Sequence, residues 1–192
     1  MKSWLLLFIM LFGVIGVSFA HQPILNQQIA IDVATPYVIE EPEISKAIFS
    51  ALGGTPHYYQ IVADKEFQFY AGITVPKIDG CNHFTRVSLA ILDENLRPIQ
   101  TLDGEGFQWW EWYEEFGKKW YWIGPEYGHG FKSTRVFSPG TYYIKVYNEG
   151  NIGNYTLAVG DIEKFTPLVI FKMIFTLPKI NKKFWDEVTC GD

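Results

Sequence analysis

Carboxylates that could act in pairs lie within one aromatic stretch, FQWWEWYEEFGKKWYWIGPEY at residues 107–127: Glu111, Glu114, Glu115 and Glu126. Glycoside hydrolases combine two carboxylates with rings that stack on sugars, but nothing in this sequence fixes the separation of about 5 or 9 Å that such a pair needs. The sequence also lacks a Gly-x-Ser-x-Gly elbow, a phosphate-binding glycine loop, a His-Glu-x-x-His motif and a Cys-x-x-Cys motif. We therefore expect a non-catalytic protein and keep a secreted hydrolase as the alternative.

A second possible chemistry is copper binding at His21. Cleavage after Ala20 would leave His21 at the free N-terminus, where its α-amine and imidazole could chelate one copper ion. A second histidine would have to complete the site, from the set His57, His83 and His129. The Gln22-Pro23 that follows is no recognisable copper signature. We expect no cofactor and no metal, and keep an N-terminal-histidine copper protein with the hydrolase as alternatives.

The aromatic residues themselves are the leading candidates for a binding site. The stretch holds five of the seven tryptophans, and Trp and Tyr combine wide apolar surface with a polar group. Such residues suit a sugar ring, a cationic headgroup, a partner protein or simply a protein core. The candidate ligand-binding residues are Trp109, Trp110, Trp112, Tyr113, Trp120, Tyr121 and Trp122.

Spacing within the stretch predicts a β-hairpin with its turn at residues 114–118. Trp110 and Trp112, and then Trp120 and Trp122, lie two residues apart, as on one face of two strands. We expect these four rings to share that face, with Glu111, Tyr113, Lys119 and Tyr121 on the other. One face would pack on the domain, with Trp110 and Trp122 in the core. The other would carry the ligand through Tyr113 and Tyr121.

Residues 1–20 are typical of a secretory signal, and a retained N-terminal anchor is the alternative. Lys2 precedes an apolar run, and Ser18-Phe19-Ala20 forms a small-x-small cleavage site. Removal would leave 172 of the 192 residues and change the net charge from −5 to −6. This acidity argues against nucleic acid and against an anionic membrane surface as partners. The sequence predicts a secreted or periplasmic protein in which Cys81 and Cys190 form a disulfide.

Period-two alternation predicts an all-β domain over residues 21–165. Alternating apolar residues mark strands at 67–75, 87–91, 142–146 and 155–159, with less regular strands at 43–49 and 57–63. Turn residues such as Gly53-Gly54 and Pro139-Gly140 separate them. Strands at this spacing without intervening helical periods favour an antiparallel β-sandwich.

Residues 166–192 follow a different pattern, which predicts a short helix and a tail packed on the domain. Thr166 can cap a helix over 166–177, Pro167 fits its first turn and Pro178 would end it. A helix this short does not span a bilayer, and it is apolar nearly all round. We expect it to cover an open face or end of the sandwich, with contact to a membrane or a second protein as the alternative. The tail from Asn181 to Asp192 would return to solvent and be fastened to the domain through Cys190.

Four segments resemble the bacterial pre-peptidase C-terminal domain: residues 57–61, 87–93, 138–146 and 153–159. The strongest part is a Pro-Gly-Thr-Tyr turn followed by Gly-x-Tyr-x-Leu at the end of a region that spans residues 43–160. The resemblance implies a small, jelly-roll-like β-sandwich with a non-catalytic accessory or binding role. The Trp-rich stretch stands where that family usually has a short polar connection. We expect an unknown protein, glycan or membrane-proximal partner to bind there.

Overall fold

The computed structural model describes residues 21–28, 31–81 and 84–186, which form a β-sandwich followed by a C-terminal helix. The predicted signal at residues 1–20 lies outside the described residues. Six strands form the first sheet, in the spatial order β1 (Gln22–Leu25), β3 (Lys46–Gly53), β13 (Ile152–Val159), β6 (Ala71–Pro76), β10 (Lys119–Tyr127) and β9 (Trp110–Glu114). Five form the second: β2 (Tyr37–Val38), β4 (His57–Ala63), β12 (Gly140–Tyr147), β7 (Ser88–Leu92) and β8 (Pro98–Leu102).

The prediction of an all-β sandwich is confirmed, with two departures in detail. The pairings β1–β3 and β2–β4 are parallel, whereas the other pairings within the two large sheets are antiparallel. The segment 67–75 is not one strand. It breaks at the buried Tyr70 into β5 (Phe67–Phe69), which pairs only with β11 (Arg135–Phe137), and β6. The chain thus leaves a small side sheet to enter the six-stranded sheet.

The core lies between the two large sheets and follows the period-two pattern. Tyr155, Leu157 and Val159 on β13 face Tyr59 and Ile61 on β4, and all five are fully buried. Because alternate residues of a strand point to opposite faces, the intervening Thr156 and Ala158 point outward from β13. They are buried nonetheless. Something therefore covers the outer face of the six-stranded sheet.

That cover is the C-terminal segment. Helix α1 spans Pro167–Ile180, begins where the Thr166 hydroxyl accepts a hydrogen bond from the Val169 amide, and continues as a π-helix over Asn181–Asp186. Ile180, Phe184 and Trp185 are buried against Phe49, Tyr121 and Ile123 of the sheet.

The prediction that Pro178 ends the helix is wrong, since Pro178 lies inside it. The prediction that the tail returns to solvent from Asn181 is wrong for residues 181–186, where Phe184 and Trp185 are buried, and residues 187–192 lie outside the described residues. Apolar burial of Phe184 and Trp185 stabilises the helical continuation, and Pro178 itself lies on the exposed side of the helix. No helix among the residues described here is long and apolar enough to span a bilayer.

The disulfide stays a prediction. There is no free thiol among the described cysteines, but Cys190 lies outside the described residues.

Candidate functional site

The predicted aromatic hairpin is present, but its register differs from the predicted one. Trp112 pairs with Tyr121 and Trp120 pairs with Tyr113, so the two tryptophan pairs lie on opposite faces. The cause is the turn: four residues, 115–118, separate the paired Glu114 and Lys119, which places even-numbered residues opposite odd-numbered ones. The Glu114 carboxylate fixes this turn by accepting hydrogen bonds from the amides of Phe116 and Gly117.

The seven candidate binding residues therefore divide by burial in an unexpected way. Trp109 and Tyr121 are buried, Trp110 and Trp120 are 45% and 43% exposed, and Trp112, Tyr113 and Trp122 are half-buried. The prediction that Trp110 lies in the core is wrong, because Trp110 is exposed. Tyr121, predicted on an exposed face, is buried instead, and its contact with a ligand stays a prediction. Tyr121 is buried because the C-terminal Trp185 packs edge-on against its ring at 5.0 Å between centroids.

The outer face of the hairpin forms one wall of an apolar groove of about 260 Å³ between the six-stranded sheet and α1. Its floor is made of small residues from three central strands, Ala47, Ala158 and Gly72, which lie side by side across the sheet. Its remaining apolar lining includes Phe49, Trp112, Tyr121, Ile123, Phe131, Met173, Leu177, Ile180 and Trp185.

One buried hydroxyl in the groove lacks a partner. Thr156 is 4% exposed and lines the groove, and its Oγ1 has no hydrogen-bond partner in the described part of the chain. On either side of it, Phe49 of β3 and Thr74 of β6 are its register neighbours. A buried hydroxyl without a partner costs about 1–3 kcal/mol, so its position in a groove indicates a place for a ligand atom or a water.

The ends of the groove are polar, with an excess of acids. At one end lie His21, Ser45, Glu126, Lys132, Asp161 and Glu163, and at the other lie Glu114 and Lys119. The His21 ring is hydrogen-bonded through Nδ1 to the Ser45 hydroxyl. Burial, together with the nearby charge of Lys132, lowers the pKa of the His21 imidazole to about 4, so this ring is neutral at pH 7. The carboxylates at this end therefore outnumber the cations.

The histidines proposed as copper ligands do not come together where they are described. His57 is buried in the core, where its Nδ1 lies 2.7 Å from the Tyr155 hydroxyl, and His129 is exposed. His83 lies outside the described residues. The described ranges contain no group of three or more His, Cys, Asp or Glu side chains that could hold a metal.

Three of the four glutamates considered as a hydrolase pair have structural contacts. Glu111 forms a 2.7 Å ion pair with Lys77, and Glu114 holds the hairpin turn. Glu126 accepts hydrogen bonds from the amides of Gly130 and Phe131. Glu115 is exposed in the turn.

The opposite face of the hairpin carries an aromatic strip, which we define as Tyr113, Trp120 and Trp122. Trp120 is exposed, Tyr113 is half-buried, and Trp122 packs against the core. The rings of Tyr113 and Trp120 lie 5.2 Å apart, and Phe84 stacks on Trp122 at 4.5 Å. The Lys77 ammonium lies over both tryptophans, at 5.3 and 5.6 Å from their centroids. The strip thus presents flat apolar rings with a charged group at their side.

Sequence reasoning missed most of the groove, whose floor and roof come from segments far apart in the chain. One signal was present: the outward positions of central strands hold the small or apolar residues Ala47, Gly72, Thr74 and Ala158. A solvated sheet face is usually polar, so this pattern indicates a covered face.

Comparison with known proteins finds low structural similarity only. No family model and no curated protein matches the chain. The pre-peptidase C-terminal domain of a Bacillus anthracis collagenase matches 65% of this chain and 91% of its own length, at 15% identity and a TM-score of 0.35. The catalytic domain of a GH87 α-1,3-glucanase, in complex with nigerose, matches 61% of this chain at 10% identity and a TM-score of 0.30. Only 23% of the glucanase domain is covered. Membership of the pre-peptidase C-terminal family stays a prediction.

Proposed function

We propose that this protein is an exported, non-catalytic binding module that holds the unbranched acyl chain of a neutral lipid in the groove under α1. The observation that carries the proposal is the groove itself: it is concave and apolar, and it contains one buried hydroxyl without a partner. Concave, mostly apolar sites with a few polar groups are the usual form of small-molecule sites. Export rests on the signal-like residues 1–20.

The shape of the groove favours a chain over a compact ligand. Its lining reaches from Lys119 to Glu126 along β10, which corresponds to about 20 Å of strand. The small floor residues leave a narrow trough, and the aliphatic side chains of Met173 and Leu177 overhang it. An acyl chain fills such a trough with apolar contact throughout and leaves its polar head at one end.

The charges at the ends favour a neutral head. Glu126, Asp161 and Glu163 line the end that holds Lys132, and the imidazole of His21 is neutral. Cleavage after Ala20 would add the charged α-amine of His21, so three carboxylates would still outnumber two cations there. A fatty-acid carboxylate would meet like charges, whereas an ester or amide head would not. The Thr156 hydroxyl can donate to an ester carbonyl.

The test is a binding titration of the mature protein with monolauroylglycerol, followed by tryptophan fluorescence. Ala158→Leu fills the floor of the groove and is expected to weaken binding about tenfold or more, since it occupies space that the chain needs. Thr156→Val removes the unpartnered hydroxyl and is expected to weaken binding about five- to tenfold without loss of stability. Laurate is expected to bind more weakly than monolauroylglycerol.

The matched control is Ala51→Leu. Ala51 is exposed on β3, two residues beyond Phe49 on the same face and outside the groove lining. The Ala51→Leu variant adds the same side-chain volume outside the groove, so it is expected to bind monolauroylglycerol like the wild type. If Ala158→Leu and Ala51→Leu bind equally well, or if the wild type binds no monoacylglycerol, the groove is not the site.

A second candidate function, glycan binding, is favoured by the exposed Trp120 of the aromatic strip. Trp120 is 43% exposed beside Tyr113, and Lys77 and Glu111 supply polar groups next to the rings. Exposed aromatic rings with adjacent polar groups are suited to stacking on sugars.

Trp120→Ala is expected to weaken binding in a glycan-array or affinity-electrophoresis assay about tenfold. Trp110→Ala removes an equally exposed ring from the other face and is expected to leave glycan binding unchanged. Equal loss in both variants, or binding to no glycan by the wild type, would reject the strip as a sugar site.

A further inference from the structure

The outward face of α1 is apolar and exposed, although the inward face already packs on the domain. Val169, Met173 and Leu177 are half-buried and Ile180 is buried, at the spacing of one helix face. On the opposite side, five large apolar residues are 53–61% exposed: Leu168, Ile170, Phe171, Ile174 and Phe175. Contiguous apolar exposure of this kind marks an interaction surface.

Positive charge is concentrated in the C-terminal helical segment, although the chain as a whole is acidic. Residues 167–186, the whole helical segment, contain one acidic residue, Asp186, and four lysines: Lys172, Lys179, Lys182 and Lys183. Residues 187–192 add two acidic residues. Residues 21–166 contain 18 acidic and 11 basic residues. The overall acidity that argued against an anionic membrane therefore belongs to the sandwich and not to the helical segment.

The lysines border the exposed apolar face. Lys172 and Lys179 are exposed and lie seven residues apart, so they occupy one side of α1 beside Phe175 and Leu168. This is the arrangement of a helix that lies in the plane of a membrane, with apolar side chains among the lipid chains and lysines at the headgroups. With 14 residues, α1 is too short to cross a bilayer.

We propose that the outward face of α1 docks the protein on a bilayer surface that carries anionic lipid headgroups. The inference uses side chains that point away from the groove, so it does not depend on acyl-chain binding there. A second copy of the chain is the competing occupant of an apolar face. It is disfavoured by the lysines, because two copies meeting through this face would bring like charges together.

The test is co-sedimentation of the full mature chain with vesicles of phosphatidylcholine alone or mixed equally with phosphatidylglycerol. We expect binding to the mixed vesicles that weakens as the salt is raised to about 0.5 M. Lys172→Gln with Lys179→Gln is expected to reduce this binding roughly 20- to 30-fold, at about fivefold per lysine near an anionic surface. Phe171→Gln with Phe175→Gln, which removes a contacting ring pair, is expected to reduce binding about tenfold or more.

Matched controls change the same residue types on the sandwich. Val62 and Val136 are 64% and 59% exposed, so Val62→Gln with Val136→Gln removes comparable apolar exposure elsewhere. Lys65→Gln with Lys118→Gln removes two exposed lysines outside the helix. Both double variants are expected to bind vesicles like the wild type.

The docking proposal is overturned if the wild type does not bind the mixed vesicles, or if the helix variants and the control variants lose binding equally. It is also overturned if the wild type binds no vesicles but forms a dimer that Phe171→Gln with Phe175→Gln abolishes.

The same vesicle assay distinguishes docking of α1 on a membrane from acyl-chain binding in the groove. Ala158→Leu is expected to bind vesicles normally even though it loses monolauroylglycerol.

Discussion

Trp109→Ala is expected to lower the free energy of unfolding by about 3–5 kcal/mol, the range for large aromatic deletions in a core. Trp109 is only 8% exposed, and its indole N–H donates a 2.7 Å hydrogen bond to the Gly104 carbonyl. Phe84 packs against the ring at 5.3 Å. A Cβ at Gly124 would lie 2.4 Å from the indole, so the ring rests directly on backbone that cannot fill the space it leaves.

The matched substitution is Trp120→Ala in the same hairpin. Trp120 is 43% exposed, and its removal is expected to change stability by less than about 1 kcal/mol. Urea unfolding followed by circular dichroism measures both variants. Similar losses of stability in the two proteins would contradict the burial described here.

The sandwich could be predicted because its central strands alternate with period two. Tyr155, Leu157 and Val159 face the core, and a slip by one residue would bury the wrong face. The break at Tyr70 could not be predicted, because both halves of 67–75 keep the same alternation while they join different sheets. The pairing of a strand depends on contacts with residues far away in the chain, and the local sequence pattern does not encode these contacts.

The candidate site was only partly predictable for related reasons. The aromatic stretch and its hairpin follow from composition and turn residues, but the choice of face depends on whether the loop has an odd or an even number of residues. A loop of four residues places Trp112 opposite Tyr121, so Trp110, predicted in the core, is exposed and Tyr121, predicted on the open face, is buried.

The groove depends on contacts that only the folded chain brings together. Ala47, Ala158 and Gly72 become a floor when β3, β13 and β6 lie side by side. The roof forms because α1 continues past Pro178 far enough to bury Trp185. The low helix propensity of proline favours a helix that ends at Pro178, but the packing of the following residues on the sheet outweighs it.

Tyr155→Phe is expected to destabilise the protein by about 2–4 kcal/mol, although it removes a single oxygen. The Tyr155 hydroxyl lies 2.7 Å from Nδ1 of His57 and 2.5 Å from the Tyr59 hydroxyl, and all three side chains are buried between the sheets. Burial lowers the pKa of His57 and raises the pKa of Tyr59 to about 12, so the group is uncharged at pH 7. Without the Tyr155 hydroxyl, Tyr59 and His57 lose a hydrogen-bond partner in a place that water does not reach.

Tyr58→Phe is the control for this loss. Tyr58 is the next residue on β4, is half-buried and points to the opposite face of its strand, so the same chemical change is expected to cost less than about 1 kcal/mol. Urea unfolding at pH 7 compares the two variants. If Tyr155→Phe unfolds at the same urea concentration as Tyr58→Phe, the three buried side chains do not depend on one another, and the apolar contacts of the two sheets alone position β4 against β13.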